Sequence, residues 1–164
     1  MANPVIVVKK EPFDNAVERA GWLALALLIF IPAWYFGDLP DEVPRHFGPD
    51  GSPTAWSGKG FIWIMPIIGS IMFVKLFFLS RYPHIYNYPV TVTEENAPRL
   101  YLKGSRMIRV LNAVLVYVFL YITYSSIQTA LGEQSGLNPA IMFAMMGTIF
   151  AIIGFYLIDS YRNK

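Results

Sequence analysis

The sequence contains no cysteine and only two histidines. The absence of cysteine excludes disulfide bonds, thiolate metal sites and cysteine nucleophiles. His46 and His84 lie in segments that we predict on opposite faces of a membrane, so they cannot share a metal ion or a haem. The chain also lacks a phosphate-binding Walker loop and the GxSxG and HExxH motifs. We therefore expect no catalytic residue, no metal site and no cofactor, and a protein that is not an enzyme.

Charged residues are also scarce, at 15% of the chain against roughly 25% in an average soluble domain. The net charge of +2 is too small to indicate nucleic-acid binding. Hydrophobic residues make up 55%, and they concentrate in four stretches of about twenty residues, the length that spans ~30 Å of hydrocarbon. These stretches are Ala20–Gly37, Gly60–Leu79, Met107–Thr129 and Pro139–Ile158. The sequence predicts an all-α integral membrane protein with four transmembrane helices.

Basic residues are distributed unevenly around these spans. Of the thirteen lysines and arginines, ten lie before the first span, around the segment between the second and third spans, or after the fourth. Arg45 and Lys59 lie between the first two spans, and Lys75 lies inside the second. Positive charge collects on the cytoplasmic side of membrane proteins. We expect a bacterial cytoplasmic membrane protein with both termini cytoplasmic and a first span that is retained, because acidic residues accompany the early basic ones.

These features predict five segments. They are a cytoplasmic N-terminal segment (1–19), a two-helix membrane domain (20–80) with an outer loop (38–59), a cytoplasmic loop with a basic helix start (81–106), a transmembrane hairpin (107–158) and a cytoplasmic tail (159–164). The runs NPVIVV and YPVTV have β-forming composition and predict short strands. Asp14 or Asn15 is expected to cap the first helix, and Asn96 or Thr93 the third, which can run unbroken into its span.

The outer loop reads LPDEVPRHFGPDGSPTAWSGK and contains four prolines and three glycines. Prolines lower the entropy cost of ordering, and a structureless loop of this length is uncommon in a compact chain unless it is functional. We expect an ordered element, either a rigid cap or a surface that recognises a peptide or protein. The candidate binding residues are Pro44, His46, Phe47, Gly51, Trp56 and Lys59. A weaker alternative is a divalent-ion site formed by His46 with Asp41, Glu42 or Asp50.

The same loop resembles the outer-loop signature of a bacterial membrane domain found in the N-terminal half of SdpI-type immunity proteins and also alone. The resemblance covers about residues 20–80, and its positions are Leu39, Pro40, Pro44, His46, Gly51, Trp56, Lys59 and Pro66. It implies a membrane protein whose relatives include receptors for a membrane-active peptide toxin. The chain departs from those immunity proteins after the second span, where their second helical domain is not recognisable.

Two stripes mark the third and fourth spans. In the fourth span, small residues recur at spacings of 4, 3, 4 and 3. In the third span, tyrosines recur at spacings of 4 and 3, and Gln128 follows four residues after the last of them. The stripes consist of Ala140, Ala144, Gly147, Ala151 and Gly154, and of Tyr117, Tyr121 and Tyr124. Small faces let membrane helices approach closely. We expect the stripes to pack against each other within the chain; the alternative is that one of them docks a partner subunit or ligand.

Arg99, Lys103 and Arg106 form a basic strip just before the third span. Such a strip is typical of contact with anionic lipid headgroups. The predicted partners are therefore membrane lipids and a peptide or protein, with no nucleic acid. Two functions stay open: recognition at the outer loop, and service as a structural accessory subunit of a larger membrane complex, such as a respiratory or photosynthetic one. A transporter is the least favoured, because the spans carry few polar residues.

Overall fold

The structure is a computed structural model that describes residues 3–162. Within this range the chain forms four helices, a two-stranded hairpin and two short 3-10 turns. The helices are α1 (Pro12–Tyr35), α2 (Ile64–Leu79), α3 (Ala97–Ala130) and α4 (Pro139–Arg162); the strands are β1 (Glu42–Phe47) and β2 (Pro53–Gly58). Counting the 3-10 turn Lys59–Trp63 with α2, each helix is long and apolar enough to cross a membrane. The prediction of a multi-pass membrane protein is confirmed at this level.

The third helix is the centre of the bundle. Both α1 and α2 pack along α3 and contact each other much less, while α4 packs on α3 from the periphery. Close approach depends on glycine at α2, because a Cβ added to Gly69 would lie 2.8 Å from Leu28 Cδ2 and 3.1 Å from Phe119 Cγ. Leu28, Phe73 and Val116 fill the centre of this packing. The bundle therefore has one end with the β-hairpin, called the hairpin end, and an opposite end with residues 3–11 and 159–162, called the terminal end.

The helix starts follow local chemistry. The N-cap of α1 is Glu11, whose carboxylate accepts a backbone N–H while Asp14 accepts the Glu11 N–H at 2.9 Å, a reciprocal capping box. The expectation that Asp14 or Asn15 is the cap is wrong by three or four residues, because Pro12 fits the first turn and lets the helix begin earlier. Asn96 is the N-cap of α3, as predicted, and the helix runs without a break for 34 residues, about 51 Å.

The outer segment is an antiparallel hairpin, so the chain is not entirely helical. Pro44 pairs with Trp56 and His46 with Ala55, and an irregularity between these pairs places Arg45 in a bulge. The sequence predicted an ordered loop here but no strands. Prolines at 44 and 53 lower the strand signal, since proline donates no hydrogen bond to a sheet.

Two short strands predicted near the terminal end do not form. Residues 4–8 and 88–92 belong to no strand, and the chain bends at residues 89–90. Their side chains instead cover the start of α3, where Ile6, Val8 and Val90 pack against Leu100 and Tyr101. The β-forming composition of these segments reflects burial of alternate residues, not strand pairing.

Two half-buried tyrosines stabilise the loop between α2 and α3 by hydrogen bonds to its backbone and to the end of α2. The Tyr86 hydroxyl donates to the Leu79 carbonyl at 2.8 Å, and the Tyr88 hydroxyl donates to the Pro83 carbonyl at 3.0 Å. Burial raises the pKa of Tyr86 to about 12 and raises the pKa of Tyr88 as well. The folded chain therefore keeps these protons at a pH where the unfolded chain has lost them.

This difference predicts a stability loss at high pH. The contribution of Tyr86 should be complete below pH 10, the ordinary tyrosine pKa, and should disappear as the pH rises to about 12. Unfolding temperature measured between pH 9 and 12 should fall less steeply in Tyr86→Phe than in the wild type. The exposed Tyr82 provides a matched control, Tyr82→Phe. Equal slopes for all three proteins would contradict the prediction.

Candidate functional site

The hairpin turn is fixed to the connection between α3 and α4. Gly51 has a φ of +83°, a left-handed conformation that favours glycine, and its carbonyl accepts the Leu137 N–H at 2.9 Å. A Cβ added to Gly51 would lie 1.9 Å from the Leu137 carbonyl oxygen, and one added to Gly136 would lie 2.1 Å from the Gly51 oxygen. Two glycines thus allow two backbones to meet, and the turn cannot move independently of the helices.

The turn is also closed internally. The Gly48 N–H donates to the Ser52 carbonyl at 2.8 Å, and the Ser52 hydroxyl and N–H both donate to the Asp50 carboxylate. These donors stabilise the ionised carboxylate and hold the pKa of Asp50 below its ordinary value. Beneath the strands, fully buried Val43 packs with Ile62 and Ile127. The hairpin is therefore seated on α3 and on the 3-10 turn as a single packed unit.

A cavity of about 220 Å³ lies where β1 faces α3. The hairpin supplies part of its wall through Pro44, His46 and Phe47. Phe61 and Met65 line it from the second span, and Thr123 and Ser126 from α3. The lining is mainly apolar, with Arg45 and His46 as its ionisable members.

Four polar side chains line this cavity, and His46, Ser126 and Thr123 among them differ in their hydrogen bonding. His46 Nδ1 lies 2.7 Å from Thr54 Oγ1, which joins the two strands. Ser126 Oγ donates to the Ile122 carbonyl at 2.8 Å. Thr123 is 1% exposed, and its Oγ1 has no hydrogen-bond partner among residues 3–162. A buried hydroxyl without a partner costs about 1–3 kcal/mol, and the Thr123 Oγ1 is too deeply buried to be open to the cavity.

The six predicted binding residues divide between the cavity and its surroundings. Pro44, His46 and Phe47 line the cavity together, and Gly51 fixes the turn. Trp56 is 43% exposed. The Lys59 ammonium lies 5.3 Å from the centre of the Phe36 ring, at the base of the hairpin.

Other members of the site were missed. Arg45, Thr123 and Ser126 line the cavity, but no motif marks them. The one available signal was the run of polar residues TYSS inside an otherwise apolar span. No group of three metal-ligating side chains occurs within residues 3–162, so the alternative of a divalent ion held by His46 and loop carboxylates is not supported.

The basic strip before the third span binds carboxylates of the chain itself. Arg106 contacts Asp14 at 3.0 Å and Glu11 at 2.6 Å, and Lys103 pairs with Asp159. The expectation that Lys103 and Arg106 mainly contact lipid headgroups is therefore corrected, whereas for the half-buried Arg99 it stays a prediction. The acidic residues at 11, 14 and 18 share one face of α1 and were the overlooked signal.

Arg109 completes a buried ion cluster with these residues. Its guanidinium lies 3.2 Å from Glu18 and 3.5 Å from Asp14, and Asp14 is fully buried. This cluster joins α1 to α3 near the terminal end. The cluster stabilises the contact between the two helices, because each charged side chain pairs with one of opposite sign.

The two stripes on α3 and α4 do not meet. α4 turns a different face toward α3, with Met145, Ile149 and Ile152 half-buried, while its small residues lie mostly exposed and Gly147 and Gly154 have open space around them. The tyrosines point elsewhere: Tyr117 reaches the Ala20 carbonyl at 3.5 Å, and the Tyr121 hydroxyl accepts the Asn138 N–H at 2.9 Å. The predicted internal interface is wrong, because large apolar side chains form the contact on α4.

Comparison with known proteins shows similarity over part of this chain. Residues 23–69 match a domain of unknown function, DUF1648. A protein described as uncharacterized from Archaeoglobus fulgidus is 34% identical over 83 residues, which cover 46% of this chain and 45% of that protein. The chain thus spans less than half the length of this relative. No solved structure matches the chain. The segment from α1 through the hairpin into α2 is therefore similar to a domain whose function is unknown.

Proposed function

We propose that this chain is a non-enzymatic membrane protein that binds a peptide or protein through its β-hairpin. The observation that carries the proposal is the seating of the hairpin: its turn is hydrogen-bonded to the α3–α4 connection, and its strand β1 borders a cavity. A surface that is already ordered binds with a smaller entropy cost. The resemblance to SdpI-type immunity proteins favours a membrane-active peptide as the partner.

A photo-crosslinking experiment in cells of the source organism tests this proposal. Benzoylphenylalanine replaces Trp56 on the hairpin and, in a second protein, Ala144 on the exposed face of α4. We expect a defined adduct from position 56, identified by mass spectrometry, that is lost when Gly51→Ala displaces the turn. Adducts from position 144 alone would contradict recognition at the hairpin.

An accessory subunit is the second candidate, and α4 favours it. None of the most apolar stretch of α4 is buried within the chain, and its small residues face outward. Helix faces of this kind let another membrane helix approach closely. In this alternative α4 contacts a larger membrane complex, and the hairpin is a rigid cap.

Gly147→Leu separates the two candidates. Because nothing lies within 4 Å of a Cβ at Gly147, the variant should unfold like the wild type. Gly69→Leu is the matched control at a packed site, and it should lower the free energy of unfolding by about 1–3 kcal/mol. Under the accessory-subunit proposal, Gly147→Leu should nonetheless reduce the mass of the complex extracted in mild detergent. An unchanged mass of the extracted complex would contradict the proposal that the small-residue face of α4 contacts another subunit.

We also propose that the terminal end is cytoplasmic and that the hairpin lies outside a bacterial cytoplasmic membrane. The distribution of lysine and arginine supports this orientation. In a chain without cysteine, Ser52→Cys and Asn87→Cys provide single labelling sites. A membrane-impermeant maleimide should label position 52 in intact cells and position 87 only after lysis. Labelling of both positions in intact cells would contradict the four-span topology.

A further inference from the structure

We infer that a groove between α3 and α4 at the terminal end binds one acyl chain of a phospholipid whose headgroup carries both a phosphate and an ammonium. The groove is separate from the hairpin, and the inference goes beyond the proposed function. It depends on three properties of the groove: its apolar walls, its length along the helices and the pattern of charge at its rim.

The walls of the groove are apolar. Its volume of about 640 Å³ lies within the ~300–1,000 Å³ range of pockets that enclose small ligands. Three helices supply the walls, through Phe13 of α1, Met107 and Val110 of α3, and Ile152 and Phe155 of α4. Because these helices are long and apolar enough to cross a membrane, the medium around the groove is hydrocarbon. An acyl chain therefore matches both the walls and the surroundings.

The groove extends along only part of the bundle. On α4 its lining residues run from Asp159 at the terminal end to Thr148, a rise of about 16 Å at 1.5 Å per residue. This length is about half of the ~30 Å hydrocarbon thickness, which corresponds to one leaflet. At the inner end the Thr148 hydroxyl donates to the Ala144 carbonyl at 2.9 Å, so this end needs no polar group from a ligand. A lipid chain from one leaflet fits this length, whereas a partner helix would cross both leaflets.

Charged side chains of both signs lie at the rim of the groove. Lys103 pairs with Asp159, and Arg106 pairs with Glu11 at 2.6 Å, so the rim offers little net attraction to an anionic headgroup. The side chains of Lys103 and Arg106 are 33% and 31% exposed, and that of Glu11 is 53% exposed, so both signs are accessible. Lysine and arginine bind phosphate, and a carboxylate binds an ammonium, through charge-assisted hydrogen bonds. A zwitterionic headgroup therefore complements this rim better than an anionic one.

The test measures which lipid the full chain retains. The protein is placed in nanodiscs of equal parts phosphatidylethanolamine, which is zwitterionic, and phosphatidylglycerol, which is anionic, with identical acyl chains. Native mass spectrometry after release in mild detergent identifies the lipids bound to each chain. We expect one retained lipid, enriched about fivefold in phosphatidylethanolamine, the factor expected for one added net hydrogen bond. No retained lipid, equal retention of the two lipids or a preference for phosphatidylglycerol would overturn the inference.

One variant tests the groove itself. Ala151 lines the groove and is exposed, so Ala151→Phe should fill the groove and abolish lipid retention while α4 still packs on α3. Ala144→Phe is the matched control, because Ala144 is exposed on the same helix but does not line the groove. Undiminished retention in Ala151→Phe would overturn the inference. A dimer without lipid that Ala151→Phe dissociates would mean that a second copy fills the groove, and would also overturn it.

A second variant tests the headgroup preference. Glu11→Gln removes a carboxylate from the rim but keeps an oxygen that can accept the N–H groups at the start of α1. This variant should still retain one lipid and should lose the preference for phosphatidylethanolamine. Glu133→Gln, at an exposed position in the connection between α3 and α4, is the matched control and should keep the preference. A preference that survives Glu11→Gln would overturn the assignment of the ammonium to this rim.

Discussion

Replacing Asp14 with leucine should lower the free energy of unfolding by about 3–5 kcal/mol. Asp14 is fully buried and lies 3.0 Å from Arg106 and 3.5 Å from Arg109. Its removal leaves guanidinium charge at the α1–α3 contact with fewer carboxylates to neutralise it. The variant also loses the acceptor for the Glu11 N–H at the start of α1. Unfolding in mixed micelles of increasing denaturing detergent measures this loss.

Asp41→Leu is the matched control for this prediction. Asp41 lies exposed at the hairpin end, where its substitution should change stability by about 0.5 kcal/mol or less. A double-mutant cycle of Asp14→Asn with Arg106→Gln should give a coupling energy of about 0.5–3 kcal/mol. If Asp14→Leu unfolds like Asp41→Leu, the ion cluster does not hold α1 to α3.

Gly51→Ala should release the hairpin from the helices. Two effects add: the strain of alanine at a φ of +83° and the collision of its Cβ with the Leu137 carbonyl at 1.9 Å. Gly132→Ala isolates the first effect, because Gly132 has a φ of +80° but open space around it. Gly51→Ala should therefore cost about 1–3 kcal/mol more than Gly132→Ala.

Limited proteolysis measures the local consequence of that substitution. The wild-type hairpin should resist cleavage because its turn and strands are hydrogen-bonded on both sides. In Gly51→Ala the segment 48–53 and the connection 132–138 should both become susceptible, since each fixes the other. Equal cleavage of Gly51→Ala and Gly132→Ala would show that the contact between Gly51 and Leu137 does not secure the hairpin.

The four helices could be predicted from the sequence because a run of about twenty apolar residues has one favourable structure in lipid. The hairpin could not, because its pairing joins residues such as Pro44 and Trp56 across a turn, and prolines obscure the strand pattern. Pro44, His46 and Phe47 were found as candidates from loop composition. Thr123 was not, because its place at the cavity depends on how β1 packs on α3.

The stripes show a second limit of sequence patterns. Helical spacing places Ala140, Gly147 and Gly154 on one face of α4, and that inference holds. The spacing does not identify the molecule that this face contacts. Within the chain, α4 packs on α3 through the opposite face. Likewise, the spacing of Lys103 and Arg106 predicted a basic strip but could not identify the carboxylates with which these residues pair, because those carboxylates lie on α1 and α4.

The central position of α3 has a consequence for biogenesis. Translation delivers α1, the hairpin and α2 before α3, so these parts emerge without the helix on which they pack. Until α3 is inserted, Asp14 and Glu18 have no arginine opposite them, and the underside of β1 lacks the contact that Ile127 provides. Assembly of the bundle thus waits for the third helix, and residues 23–69 expressed alone would insert without acquiring the arrangement that seats the hairpin.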